Sequence, residues 1–188
     1  PSVCTALRGS APVTVTLRTI AQPMHSGQYG GAAPDALLEL IKLLGTLHDD
    51  NGLVAVEGLT SDAVWEGVGP DTDTFRRNAG VLDGVEVLGA EQGIAANDLT
   101  VMRPSITVTG LDSLSVEDAI NAVPGRAAAQ VSLRVPPGMD PVAAQDALIA
   151  HLERHQPNAK MEIERSTVAS AFRADTSGPA LQRFSKAI

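Results

Sequence analysis

An α+β fold is the class this 188-residue sequence predicts: a two-layer sandwich of about four antiparallel strands with two helices on one face, plus an insertion. Stretches that alternate apolar and polar residues at period two recur at 12–20, 99–110, 127–135 and 159–168. Two segments with apolar residues spaced by three and four interrupt them. The resulting βαββαβ order suits one antiparallel sheet covered on a single side.

The first strand is expected in PVTVTLRTI, Pro12 to Ile20, where valine and leucine alternate with threonine and arginine. The first helix follows, with Pro34 at its first position. Leu37, Leu40, Ile41, Leu44 and Leu47 form its apolar stripe, and Asn51-Gly52 is the stop. Between about 53 and 98 the pattern loosens into an elaborated insertion. There LVAV reads as a short strand, and TSDAVWEGV and PDTDTFRRNAG read as short helices. LTVMRPSITVTG and AAAQVSLRV restore alternation and are expected as neighbouring strands. The second helix lies in PPGMDPVAAQDALIAHLERH, capped by Asp140 with Pro141 in the first turn. AKMEIERSTV supplies the last strand. There is no internal repeat at solenoid periods.

Composition narrows the function classes. Hydrophobic residues make up 44% and charged residues 19%, a globular balance, and with 3% aromatics the core must be aliphatic. A net charge of −8 and a pI near 4.9 argue against nucleic acid or an anionic membrane surface as partner. Cys4 is the one cysteine, so no internal disulfide forms and a cytoplasmic setting is the default. No apolar run approaches the roughly 18 to 20 residues that span a bilayer. The chain opens with PSVCTALRGS, without an initiator methionine or leader, and closes with LQRFSKAI inside a helical pattern. Both ends are expected to continue into something longer.

Four histidines are the first candidates for chemistry. His151 and His155 stand four apart on the second helix, as metal ligands can, but LER between them lacks the glutamate of a zinc-protease helix. Interaction with the helix C-terminus and solvent is the simpler reading. His48, in TLHDD, sits where a helix end and two aspartates favour a protonated imidazole. His25 differs, because Ser26, Gly27, Gly30 and Gly31 surround it and such glycines permit close backbone approach. A solvated histidine in a tight loop is the competing reading. Ser26 and His25 are no catalytic pair, since adjacent residues rarely face each other.

A second stretch, NAVPGRAAAQVSLRVPP, carries Asn121 before a Pro124-Gly125 turn and Arg134 within a strand. Asn121 can donate an amide hydrogen bond, and Arg134 can fork onto a carboxylate. A turn-capping asparagine and a solvent-facing arginine are the competing readings.

With these stretches in hand, the sequence resembles the lid, or dimerisation, domain of the M20 family of metallopeptidases, and most its carnosinase-like dipeptidase branch. LRGSAPVTVTLRT resembles the family's entry strand, MHSGQYGGAAPDALLELIKLLGTLHDDNGLV its histidine loop and first lid helix, and NAVPGRAAAQVSLRVPPGMDP its asparagine turn and arginine strand. SGPALQRFSKAI, within 175–188, resembles re-entry into a catalytic domain, so 1–188 is expected as a single lid domain.

The resemblance implies a homodimer formed through this domain and a dipeptide or N-acyl amino acid substrate. It also implies two zinc ions in a separate catalytic domain, where a glutamate activates water to attack the amide. His25 would reach into the partner subunit's active site and stabilise the oxyanion, Asn121 would bind substrate near the scissile group, and Arg134 would grip its carboxylate. Together the three would form a clamp for an anionic substrate. The family's histidine-x-aspartate motif and paired glutamates are absent from this chain, so no metal is expected in it and it is expected to be inactive alone. Two other readings are a free-standing homodimeric binding or structural module and a small-molecule-binding regulatory domain.

Overall fold

The computed structural model describes residues 4–175, 177–179 and 183. Most of the helix expected at 181–188, and with it the re-entry segment, lies outside the described residues. The element order is β1 (Ala6–Leu7), β2 (Gly9–Ser10), β3 (Val13–Arg18), β4 (Met24–His25), α1 (Ser26–Tyr29), α2 (Ala36–Gly45) and α3 (Thr72–Ala79). After a π-helical turn at Asp98–Met102 come β5 (Ser105–Asp112), β6 (Ala122–Val123), β7 (Arg126–Val135), α4 (Pro141–Arg154), β8 (Lys160–Arg165) and β9 (Phe172–Arg173).

The main sheet is antiparallel throughout, in the order β5-β7-β3-β8. β2 continues the line of β3 along the same side of β7, with Ala11 N donating to Leu133 O at 2.9 Å. Pro12 separates the two pieces because it has no N–H to give the ladder. The predicted βαββαβ order is therefore the observed one. Two small pairings lie outside it, β1 with β9 and β4 with β6.

Alternation decides which face is buried. Val13, Val15 and Leu17 of β3 and Ala127, Ala129, Val131, Leu133 and Val135 of β7 point to one side. There they join Ala36, Leu40, Leu43 and Leu47 from the α2 segment and Ala144, Leu148 and Leu152 of α4 in one aliphatic core. Both helices thus cover a single face.

Local chemistry shifts several expected boundaries. Asp35, not Pro34, begins α2: its carboxylate accepts from the N–H groups of Leu37 and Leu38 at 2.8 and 3.0 Å, which leaves Pro34 outside the helix. α2 ends at Gly45 with Thr46 as its C-cap, before Asn51-Gly52, and Asn51-Gly52 turns the chain with Gly52 at φ 75°. Asp140 and Pro141 open α4 as expected. The strand expected from Leu99 begins only at Ser105, because 98–102 coil into the π-helical turn ahead of Pro104.

Within 53–98, the PDTDTFRRNAG helix forms as α3, and LVAV contributes one bridge, Val54 to His48. TSDAVWEGV is not helical. Its Trp65 backbone N–H instead donates to the buried Asp98 carboxylate at 2.7 Å, and the Arg103 Nε donates to Ala63 O at 3.1 Å. Tertiary bonds hold this segment open.

Candidate functional site

His25 leaves the sheet beyond the end of β3. It pairs with Ala122 in the β4–β6 ladder, and the Ser26 N–H donates to Asn121 O at 2.9 Å. The histidine loop and the asparagine turn, about a hundred residues apart, are thereby brought side by side. Close packing fixes the turn: Gly125 O accepts from Thr19 N at 3.0 Å, and a Cβ at position 125 would lie 2.7 Å from Ile20 O. Pro124 O accepts from Ala36 N at 3.1 Å, tying the turn to the start of α2.

The His25 side chain is exposed and makes no cap bond to α1. A Cβ at position 27 would stand 2.9 Å from His25 Cε1 and 3.2 Å from Nδ1, so the imidazole folds back over Gly27. Neither the imidazole nor the Asn121 amide has a hydrogen-bond partner among the described residues. Both donors face solvent unspent.

Arg134 sits elsewhere. It lies near the C-terminal end of β7, paired with Ser10 on one side and Ser105 on the other. The asparagine turn leads into β7 at Arg126, and eight residue steps of extended strand separate Arg126 from Arg134, about 27 Å. A single chain therefore does not assemble His25, Asn121 and Arg134 into one clamp. His25 and Asn121 form one cluster, and Arg134 belongs to another.

That second cluster holds a residue that no sequence pattern singles out. Arg8, half-buried between β1 and β2, donates from Nη1 to Ser105 Oγ at 2.7 Å and to Leu99 O at 3.3 Å. Ser105 is the ladder partner of Arg134, so the two guanidinium groups are neighbours on the face away from the helices. Burial, and then the like charge of Arg134, hold the Arg8 pKa below its ordinary value. Neither arginine has an ion-pair partner among the described residues.

The other histidines are structural. His48 Nε2 donates to Ile106 O at 3.2 Å, and Asp49 is committed to the Asn51 and Leu53 N–H groups. His151 departs from the solvent-facing expectation because it is buried between the helices. The Thr46 hydroxyl donates to Leu43 O at 2.7 Å and accepts from His151 Nε2 at 2.9 Å. Desolvation first, then the nearby His155, lower the His151 pKa; the Thr46 bond acts the other way and Arg154 adds a further lowering. His155 Nδ1 donates to His151 O at 2.9 Å. Among the described residues no three of His, Cys, Asp and Glu gather as a metal would require, so these side chains do not fit a metal centre.

The model of the family described as the peptidase dimerisation domain matches residues 5–160. A cysteinylglycine-S-conjugate dipeptidase of Corynebacterium striatum is 40% identical over 189 residues, covering 100% of this chain and 41% of that protein. A β-Ala-His dipeptidase of Rattus norvegicus is 26% identical over 169 residues, 81% of this chain and 32% of its own length. Among solved structures, human carnosine dipeptidase 1 superposes with a TM-score of 0.79 at 22% identity, over 100% of this chain and 42% of that one. The di-peptidase Dug1p of Saccharomyces cerevisiae gives 0.67 at 19% identity, over 97% and 40%. The chain spans less than half the length of these relatives.

Proposed function

Because this chain belongs to the M20 family of peptidase dimerisation domains, we propose that it is the dimerising lid of a metal-dependent dipeptidase and completes the active site of a second copy. The metal, read as two zinc ions, belongs to a catalytic part outside these residues, where it supplies an activated water. The lid's residues bind and orient. The domain alone is inactive, 53–98 is an insertion in it, and the substrate is a dipeptide or N-acyl amino acid. A cytoplasmic setting suits Cys4, which is exposed and unpaired.

One observation carries the trans reading. An extended dipeptide is only about 7 Å long, whereas Arg126 and Arg134 stand roughly 27 Å apart along β7. No such substrate reaches both clusters of one chain. Arg134 and Arg8 lie next to β1, whose partner is β9, so the two outer segments of the domain meet beside them. Arg134 therefore serves the catalytic part joined to its own lid and orients a free carboxylate. His25 and Asn121 project from the far end and serve the partner's site. There an N–H donor aimed at the tetrahedral oxyanion strengthens as charge develops on it.

The dimer surface is β5 with α2. β5 pairs with β7 alone among the described residues, and Val108 and Leu111 on it are exposed. Leu38 and Ile41 give α2 an exposed apolar stripe, and the His48–Ile106 bond sets the end of the α2 segment against the start of β5.

Complementation in the full-length enzyme tests this arrangement. His25→Ala and Arg134→Gln should each lower turnover of free dipeptides by orders of magnitude without loss of metal. When the two inactive chains are dissociated and mixed, one site of each mixed dimer receives both native residues, so about a quarter of wild-type activity returns. If His25 acted on its own subunit's site, mixing would restore nothing. A wild-type protein that hydrolyses no dipeptide would leave the domain as a dimerising binding module.

A further inference from the structure

We infer that Arg8 is a second carboxylate-binding guanidinium, which with Arg134 forms a two-arginine clamp for the free carboxylate of the substrate. This rests on the dipeptidase reading and deepens it. The ladder supplies the placement: Ser10, Arg134 and Ser105 stand in one row across β2, β7 and β5, and Arg8 reaches over that row to Ser105. Among the described residues only Nη1 of Arg8 is occupied, by two uncharged oxygens. Its Nε and Nη2 have no partner among the described residues and remain available as a fork.

Charge argues in the same direction. The chain has 22 acidic against 14 basic residues, yet these two neighbouring arginines have no carboxylate within ion-pair distance among the described residues. Two like charges held together, one of them half-buried, are costly without an anion between them. Arg8 also lines a cavity of about 330 Å³ together with Phe75, Val81, Val87, Leu88 and Leu99. Glu86, also on that lining, is drawn outward toward Arg76 at 3.9 Å. Half-burial limits screening at Arg8, and a carboxylate bound there gains more than it would beside a fully exposed arginine.

The rival role for Arg8 is structural, pinning Leu99 and Ser105. Steady-state kinetics of Arg8→Gln and Arg8→Lys in the full-length enzyme, on a dipeptide and on its C-terminal amide, separate the two, with melting temperature measured in parallel. The clamp predicts that Arg8→Gln raises KM for the free acid about ten- to a hundredfold, the loss of one charge-assisted hydrogen bond, with kcat nearly unchanged. The amide should shift less than twofold, and Arg8→Lys should recover part of the free-acid affinity. Equal losses on acid and amide, or a KM unmoved by Arg8→Gln, would overturn the clamp while leaving the trans role of His25 standing. If wild-type enzyme hydrolyses neither substrate, the dipeptidase reading falls and the clamp with it.

Discussion

His25 is held in place by a neighbour with no side chain. Its imidazole lies over Gly27, where a methyl group would come within 2.9 Å of Cε1. Gly27 is not at positive φ and sits in α1, so alanine suits its backbone and would even favour the helix by about 0.5–1 kcal/mol. Gly27→Ala should therefore leave the melting temperature unchanged or slightly raised while the ring is pushed aside. In the full-length enzyme kcat should fall by up to about a hundredfold, the usual consequence of misplacing a group by an ångström. An unchanged kcat would show that the pose over Gly27 has no part in catalysis. The glycine-rich setting of His25 is visible in the sequence, and so is the arginine strand. What the sequence does not display is their separation, because it depends on which end of β7 each loop meets. Arg8 was invisible for a similar reason, since its partners Leu99 and Ser105 lie 91 and 97 residues away.

Elements were legible where local pattern and packing agree, as in β3, β7 and the Asp140-capped α4. They were not where a long-range bond decides: Trp65 is held non-helical by Asp98, and His151 of α4 reads as solvent-facing until α2 is laid beside it, whereas His155 just beyond the helix is exposed as expected. Gln145 is a further case, buried with its Nε2 donating to Pro12 O at 2.8 Å and Ser166 O at 3.0 Å, an edge bond no periodicity reveals. The α2–α4 contact has a consequence for pH. His151 is held below its ordinary value of 6.5, whereas in the unfolded chain it titrates normally. Below about pH 6.5 the unfolded state thus binds more protons than the native one, and stability rises with pH in that range. The contribution is complete above the unfolded pKa and is lost as pH falls toward the native one. Thermal melts from pH 7.5 down to pH 5 should show a fall in Tm that His151→Gln reduces; a parallel fall in both proteins would assign the acid sensitivity to other groups.

Two copies of this chain carry charges of the same sign, −8 each, so a dimer of them would be held by apolar contact and backbone pairing rather than by net electrostatics. Among the described residues β5 is laddered only to β7, and an edge of this kind invites another strand unless it is covered. A two-fold axis beside β5 would join the sheets of two copies and bring the exposed Leu38 and Ile41 of each α2 toward its mate. Ile41→Glu then places a carboxylate in the centre of a self-complementary patch, where each copy meets the other's. Sedimentation velocity should show the dimer dissociation constant rising by about thirtyfold or more, as for loss of a central hot spot, with the circular dichroism spectrum retained because Ile41 is outside the core. Since screening weakens repulsion between the two acidic chains, the wild-type dimer should also tighten as salt is raised, whereas a dimer held by ion pairs would loosen. In the full-length enzyme the same substitution should, on the proposed trans role of His25, make activity depend on protein concentration, because a site that borrowed its histidine would work only while its partner was bound. Activity that stays constant on dilution below the dissociation constant would place His25 in its own subunit's site and remove the need for the partner.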